Sequence, residues 1–321
     1  MTDLGKQTYL ITGGTGSLGT VLAKRLISEG HRVRAYARNE HGHERLEKSI
    51  PANQRHLLSC LIGSVEDTDR LRIALRGADY LIHAAALKII GLAEYNPGEC
   101  VKTNVVGTQS VIDAVLTSSV KRAVFVSSDK ASASVNHYGH TKAVGEKLWV
   151  HANRYKPDSP PFVAVRYGNC WNSNGSVFQA FQKQASSAGK LILTSGECTR
   201  FHWKLEDAAG FVLDALVRAV PGEIWIPKLR TYKLDELALV FMARFGVSKP
   251  FEVVGLRPGE KLHECMISED EAFMSRDDGM RFVLTPGTPQ GNPSKAYHSG
   301  QPKLQMSRLE LAALIEETAL V

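Results

Sequence analysis

Thr8-Tyr9-Leu10-Ile11-Thr12-Gly13-Gly14-Thr15-Gly16-Ser17-Leu18-Gly19 decides how the rest of this chain is read. Its first five residues form an apolar run of strand character. Gly13, Gly16 and Gly19 then repeat at Gly-x-x-Gly-x-x-Gly spacing. Leu18, Val21, Leu22 and Leu26 lay one apolar stripe along the helix that follows. Glycines between a strand and a helix let the backbone turn tightly and approach a pyrophosphate, while first-turn N–H groups without an intrahelical partner point at the anion. Tight turns also use glycine, so the pattern carries weight only in this strand–turn–helix context. Gly13, Thr15, Gly16, Ser17, Leu18 and Gly19 are therefore candidate dinucleotide-binding residues.

Outward from this motif, short β-branched runs alternate with helical patterns over the first 165 residues. Strands are expected at Thr8–Thr12, Arg32–Ala37, Arg55–Leu61, Tyr80–Ala84, Ala123–Ser127 and Phe162–Arg166, with crossover helices such as Leu18–Glu29 and Val101–Leu116. Alternation of this kind implies an α/β fold, a Rossmann-like doubly wound parallel sheet with helices on both faces. Beyond residue 167 the pattern loosens. Asn169–Gly175 reads as a polar loop, Ser176–Ala188, Glu206–Arg218 and Leu234–Phe245 as helices, Glu223–Ile226 as a strand and Val253–His263 as a loop. Residues 276–305, rich in Gly, Pro, Ser, Asn and Gln, read as a wandering tail. Ser307 followed by Glu310 is a capping-box signature for a last helix. The expected division is 1–167 for the dinucleotide, with some later segments returning to it, 168–275 mainly for substrate, and 276–321 as a tail ending in a helix.

The 321 residues suffice for a large core, and 43% hydrophobic with 22% charged residues excludes disorder or fibre over most of the chain. Lysine and arginine total 39 against 33 acids, a modest and dispersed excess that does not describe a nucleic-acid face. No apolar run reaches the ~20 residues of a membrane helix, and the start does not read as a signal peptide. Cys60, Cys100, Cys170, Cys198 and Cys265 are widely spaced without a Cys-x-x-Cys pair, which points away from disulfides or structural zinc. A cytoplasmic protein without a membrane partner or metal is expected.

Two further features concern chemistry. The second strand ends Tyr36-Ala37-Arg38, with Glu40 further out, where an NAD site usually places a carboxylate for the ribose 2′-hydroxyl. A guanidinium suits a 2′-phosphate, so NADP is the expected cofactor, with Arg38 as its selector. Ser128-Asp129-Lys130 follows the fifth strand, and Tyr138 and Lys142 lie four apart, on one face of a helix. A lysine ammonium beside a phenol lowers its pKa, making Tyr138 a base for a hydroxyl proton as hydride leaves the same carbon. Ser128 lies at a strand's C-terminal end, where open α/β sheets place ligands.

With these residues in place the chain resembles the extended short-chain dehydrogenase/reductases, and within them the inverting UDP-N-acetylglucosamine 4,6-dehydratases. The resemblance is carried by His83-Ala84-Ala85-Ala86-Leu87-Lys88, Ala93-Glu94-Tyr95-Asn96-Pro97, Lys102-Thr103-Asn104-Val105, Ser128-Asp129-Lys130-Ala131, Arg166-Tyr167-Gly168-Asn169 and Gly175-Ser176-Val177. Thr199-Arg200-Phe201, Gly222-Glu223-Ile224, Pro227-Lys228 and Arg257–Glu264 extend it to about residue 275. It implies oxidation at C4 of a UDP-sugar, loss of water across C5 and C6, and hydride return to C6. Asp129 would be the acid, which needs a raised pKa, and Lys130 the base, which needs a lowered one. Ser64, Val65, Ala84, Ala85 and Ala86 would line the cofactor. Lys88, Asn169, Ser176, Val177, Arg200, Arg257 and Glu260 would hold the substrate, the arginines on phosphate and Glu260 on a ribose hydroxyl. A homo-oligomer is expected. Asn104 is expected to brace the sheet, and His83 to be a satisfied strand-end histidine rather than a catalyst.

The chain also departs from that pattern. Gly63-Ser64-Val65 stands where the family has an adenine-binding Asp, Ile89-Ile90 follows Lys88 in place of His-Val, Asn174 replaces an arginine, and Cys198 a methionine; His202 and Trp203 are atypical. These changes leave room for another sequel to C4 oxidation, such as 4-epimerisation or net oxidation, although an epimerase needs no elimination acid. A non-catalytic NADP-binding sensor or scaffold is the reading from a different class, opposed by the intact Ser128, Tyr138 and Lys142.

Overall fold

Short β-branched runs pair because a central parallel strand must bury both faces, and the helices between them supply the cover. The structure, a computed structural model, describes residues 5–155, 161–171 and 176–319. In chain order the first part holds β1 (Thr8–Thr12), α1 (Ser17–Ser28), β2 (Arg32–Ala37), α2 (Glu40–Lys48), β3 (Leu58–Ile62), α3 (Thr68–Leu75) and β4 (Tyr80–His83). It continues with α4 (Ile90–Tyr95), α5 (Pro97–Val101), α6 (Gly107–Leu116), β5 (Arg122–Val126), α7 (His137–His151) and β6 (Phe162–Val165). Then come α8 (Val177–Ala188), β7 (Ile192–Leu193), β8 (Thr199–Phe201), α9 (Leu205–Arg218), β9 (Ile224–Pro227), β10 (Thr231–Lys233) and α10 (Leu234–Phe245). The last elements are β11 (Glu252–Val253), β12 (Cys265–Ile267), α11 (Glu269–Ala272), β13 (Ser275–Asp277), β14 (Arg281–Leu284), β15 (Tyr297–His298) and α12 (Arg308–Ala319).

Among the described residues one nine-stranded sheet runs in the order β13-β14-β9-β6-β5-β4-β1-β2-β3. The neighbours from β3 to β9 pair in parallel, with Leu10 opposite Arg34 on one side and Leu81 on the other. The strand order reverses between β1 and β4, which opens a crevice at their carboxyl ends. This is the doubly wound, Rossmann-like fold expected from the sequence. Leu10, Ile11, Leu81, Ile82, Val124 and Phe125 are buried in its core. A second apolar cluster, with Phe178, Phe181, Leu193, Tyr232, Leu237 and Phe241, packs against Leu311, Leu314 and Ile315 of α12.

Residues 276–305 are not a tail. β14 pairs antiparallel with β9 and with β13, while β15 pairs with β12, so this stretch closes the sheet's far edge. Its strands are two to four residues long. That is too short for a period-2 pattern to register between glycines and prolines. The third strand also begins later than expected, after a 3₁₀ turn at Ala52–Leu57. The long helix over residues 97–116 is interrupted by a π-helical turn at Lys102–Val106. Ser307 does cap α12: its N–H donates to Glu310 Oε2 at 2.7 Å, and its Oγ accepts from the Glu310 N–H at 3.3 Å. Among the described residues no helix is long and apolar enough to cross a membrane.

One buried ionic cluster holds the sheet to the later segments. Arg166, 2% exposed, donates to Glu146 of α7, to Glu271 of α11 at 2.7 and 2.9 Å, and to the Met266 carbonyl at 2.7 Å. Burial pushes the Glu271 carboxyl up, but Arg166 and the hydrogen bonds outweigh it and hold the group down at about 2. Removing one partner of such a cluster strands the other charges in a low-dielectric interior. Arg166→Ala should therefore cost about 3–5 kcal/mol, read as a lowered urea midpoint. A midpoint within error of the parent protein would show that the cluster does not carry this stability.

Candidate active site

The glycine motif builds a cradle at the mouth of the crevice. Gly13 has φ +69°, and a Cβ there would meet the Ala85 nitrogen at 2.8 Å; one on Gly19 would collide with the Gly13 carbonyl. The Gly13 N–H donates to the Tyr36 carbonyl at 2.9 Å and the Gly16 N–H to the Gly13 carbonyl at 2.9 Å, fixing the turn. Gly16 is the N-cap of α1 and offers no side-chain cap, so Ser17 and Leu18 open the helix towards the crevice. A cradle that a side chain would fill, below an uncapped helix of twelve residues, fits a dinucleotide pyrophosphate. Thr15 lies against Gly42 of α2, and Arg38 stands exposed at the end of β2. Ser64 Oγ donates to Glu66 at 3.0 Å while Val65 packs on Gly107. The Ala84 N–H donates to the Thr12 carbonyl at 3.1 Å, and Ala85 and Ala86 continue the wall.

Under this wall, His83 is fully buried between Thr12 and Thr108, 2.6 Å from the first hydroxyl and 3.1 Å from the second. Thr108 donates its hydroxyl proton to the Asn104 carbonyl, so His83 Nε2 carries the ring proton and Nδ1 accepts from Thr12. Burial and the Lys142 charge push the ring down to about 3, so it is neutral and satisfied. Asn104 accepts from the Leu87 N–H at 2.8 Å and donates to its carbonyl at 2.9 Å and to Thr141 at 3.0 Å. It ties the loop after β4 to α7.

The side chains expected to react converge beyond the end of β5. The Asp129 N–H donates to the Tyr167 carbonyl at 3.0 Å, which places Ser128 and Asp129 in the crevice. Ser128 Oγ donates to Asp129 Oδ1 at 3.0 Å, and Lys130 Nζ donates to the same oxygen at 2.9 Å and to Asn169 at 3.1 Å. Tyr138 enters from the first turn of α7, whose N-cap Asn136 accepts from the Gly139 N–H at 2.7 Å and donates to the Gly259 carbonyl at 2.7 Å. Burial raises the Tyr138 phenol, with the Ser128 hydrogen bond and the Lys130 charge opposing it.

Two electrostatic expectations need correction. Lys142 does not sit against the Tyr138 phenol. Its ammonium donates to the Val126 carbonyl at 2.7 Å and lies 3.8 Å above the Phe125 ring, and burial lowers its pKa to about 7. Helical spacing puts the two residues on one face, but the strand end captures the longer side chain. Lys130 likewise does not have the lowered pKa of a base. Desolvation acts in that direction, yet Asp129 and Glu264 outweigh it and raise the group. Asp129, fully buried, is raised by desolvation, as an acid requires.

On the substrate side Arg200 of β8 pairs with Glu260 at 2.9 Å and lies 3.6 Å from Glu264. Glu260 also accepts from Thr194 at 3.0 Å and from the Arg257 N–H at 3.3 Å, so a carboxylate expected to face ribose braces its own loop here. Arg257 itself is exposed. Ser176 is the N-cap of α8, accepting from the Gln179 N–H at 3.5 Å, and Val177 is the first residue of that helix. Lys88, although more than a third exposed, has its ammonium desolvated and facing Lys130, and both effects lower its pKa. Cys198 is buried in the second core, and Trp203 stacks edge-on against Tyr167. Asn174 lies outside the described residues. Glu264 had no assigned role from sequence, although it ends the Arg257–Glu264 stretch. A carboxylate two residues before the buried Met266-Ile267 strand was its one signal. Among the described residues no cluster of His, Cys, Asp or Glu is placed to hold a metal.

Residues 9–286 match the family described as polysaccharide biosynthesis protein. The chain belongs to that family. It is thus an extended short-chain dehydrogenase/reductase, as the resemblance indicated. It is 39% identical over 285 residues, 88% of this chain and 83% of the relative, to the inverting UDP-N-acetylglucosamine 4,6-dehydratase of Campylobacter jejuni. A UDP-glucose 4-epimerase of Rickettsia prowazekii is 30% identical over 94% of this chain and 89% of its own. Among solved structures, Pen from Bacillus thuringiensis superposes with a TM-score of 0.94 at 32% identity, over the whole of both chains. The dTDP-glucose 4,6-dehydratase DesIV of Streptomyces venezuelae shares the fold at a TM-score of 0.73 and 21% identity, over 80% of this chain and 87% of its own.

The loop between Lys130 and Tyr138 carries one strained residue. Ala133 has φ +44°, a left-handed conformation that disfavours any residue with a Cβ other than Asn or Asp, and its side chain is exposed. Ala133→Asn should raise stability by about 1 kcal/mol, measured as a higher thermal midpoint. A lower midpoint would show that the loop is not strained there.

Proposed function

We propose that this protein is an NADP-dependent nucleotide-sugar 4,6-dehydratase acting on UDP-N-acetylglucosamine. The observation that carries the reading is the Asp129–Lys130 pair, bonded at 2.9 Å beside the buried Ser128 and Tyr138. Hydride transfer alone needs only a base at the C4 hydroxyl, whereas elimination needs a second acid and base at C6 and C5. The 39% identity to a protein of that activity supports the same conclusion.

The chain's residues divide the work by position. Gly13, Gly16 and the first turn of α1 would hold the dinucleotide pyrophosphate, with Arg38 on the 2′-phosphate. A bound dinucleotide would supply the hydride acceptor for C4 of the sugar and the donor for C6. Tyr138 accepts the C4 hydroxyl proton, oriented by Ser128. The resulting C4 ketone acidifies the C5 proton, and Lys130 removes it while Asp129 protonates the departing C6 hydroxyl. The resting ion pair supplies both states in one step. Moving a proton from Lys130 Nζ to Asp129 Oδ1 along their hydrogen bond yields a neutral amine and a neutral acid. A substrate that excludes water favours that neutral pair, because desolvation penalises separated charge. Arg200 binds the diphosphate.

Proton NMR of UDP-N-acetylglucosamine incubated with the protein should show a new 6-methyl doublet without added cofactor. In heavy water Lys130→Ala should lose deuterium uptake at C5 and product formation by roughly 10²–10⁴-fold while still oxidising C4. Tyr138→Phe should abolish both steps. Normal C5 exchange in Lys130→Ala would remove Lys130 as the base. A product inverted at C4 that keeps its C6 hydroxyl would instead identify a 4-epimerase.

The cofactor assignment has its own test. NADP should bind more tightly than NAD, and Arg38→Ala should narrow that gap by roughly 10-fold, by fluorescence titration of the two reduced dinucleotides. Equal affinities in the unmodified protein would overturn the preference.

A further inference from the structure

Glu264 has no part in the reaction outlined above, yet it lies at the centre of the charged cluster. It is 3% exposed, and its N–H is held by Ser299 Oγ at 2.8 Å. Its Oε1 lies 3.3 Å from Lys130 Nζ and 3.6 Å from Arg200 Nε, while Oε2 is buried without a hydrogen-bond partner. Asp129 has the same asymmetry. Its Oδ1 receives Ser128 at 3.0 Å and Lys130 at 2.9 Å, and its Oδ2 is buried and unpartnered. Two buried carboxylates therefore close on a single ammonium.

Like charges that share a site titrate apart, and the less compensated of the two keeps a proton. Glu264 faces the cations Lys130, Arg200 and Lys261. Asp129 is paired with Lys130 alone among the described residues and also feels the Glu264 charge. Lys261 also feels the Asp129 charge, more weakly than that of Glu264, and the phenols of Tyr138 and Tyr232 and the thiol of Cys170 lie around Asp129. Burial raises Tyr138 against the Ser128 hydrogen bond and the Lys130 charge, and pushes Tyr232 and Cys170 up to about 12, so the last two stay neutral through the working range.

We propose that Glu264 is a positioning residue: by sharing Lys130 with Asp129 while keeping its own charge against Arg200, it makes Asp129 the carboxyl of higher proton affinity, the one that takes the proton Lys130 gives up. The inference rests on the reading of Asp129 as the acid at C6. The directions agree with the geometry, since burial and Glu264 raise Asp129, whereas Lys130, Arg200 and Lys261 outweigh burial and lower Glu264.

The test follows Asp129 directly, in protein carrying carboxyl-¹³C aspartate and without ligand, with its signal assigned by its loss in Asp129→Asn. In the parent protein Asp129 should titrate above the ordinary carboxylate range. Glu264→Gln keeps the shape and removes the charge, and should lower that midpoint by roughly 1–3 pH units. Glu264→Asp should restore part of the shift. In turnover, Asp129 is active when protonated, so its ionisation sets the alkaline limb. The Gln variant should move that limb to lower pH by the same interval, whereas a merely damaged fold would lower the rate and leave the limb in place. An unchanged Asp129 midpoint in Glu264→Gln overturns the proposal, as does a Glu264→Asp midpoint equal to that of Gln. If the midpoint moves but no variant, nor the parent, forms a 6-deoxy product, the role of Glu264 stands and the dehydratase reading falls.

Discussion

Arg166 is the constraint on which the site depends. It leaves the end of β6, the strand next to β5, and binds Glu146 on one side and Met266 and Glu271 on the other. Helix α7 and the 266–271 segment, more than a hundred residues later, therefore meet at one guanidinium whose fork satisfies both at once. Glu264 lies two residues before Met266, and Ser132 of the reacting loop donates to Glu271 at 2.7 Å. Lys261 reaches the Ser132 carbonyl at 2.7 Å from the same later segment. The loop bearing Asp129 and Lys130 is thus gripped from behind by chain that arrives more than a hundred residues later.

That grip explains how so many charges fit in one crevice. A buried carboxylate is costly unless it is paired or protonated, and the cluster uses both solutions. Glu264 and Glu260 are ion-paired, while Asp129, with Lys130 shared, is pushed towards the neutral acid. On the dinucleotide side the opposite rule holds. There the site is built from absences of side chain at Gly13, Gly16 and Gly19, because a phosphate needs backbone N–H groups within reach rather than a formal charge. His83, at the floor between the two halves, is neutral and fully hydrogen bonded, so it shapes the crevice without adding charge.

Much of this was legible in the chain. The glycine spacing after an apolar strand, the alternation of strands and helices, and the Ser128, Asp129, Lys130 and Tyr138 grouping all depend on neighbours close in sequence, and the structure places them together as expected. The Lys142 contact was misjudged because helical spacing fixes a face of α7 but not which acceptor a four-carbon side chain finds. The Lys130 charge was misjudged because the neighbouring Asp129 is joined in holding it by Glu264, 134 positions further along the chain. The strands in residues 276–305 were missed because pieces of two to four residues owe their conformation to the partner strand rather than to their own pattern.

The sequence by itself determined the doubly wound sheet, the glycine turn at its mouth and which polar side chains gather beyond β5, since each follows from local periodicity, backbone freedom or closeness along the chain. Only the tertiary structure decided their proton states and partners: which carboxylate stands against which cation, and how far each is from water. Those quantities depend on distance and local dielectric between segments that meet only when the later chain folds back onto β6, so no local pattern encodes them.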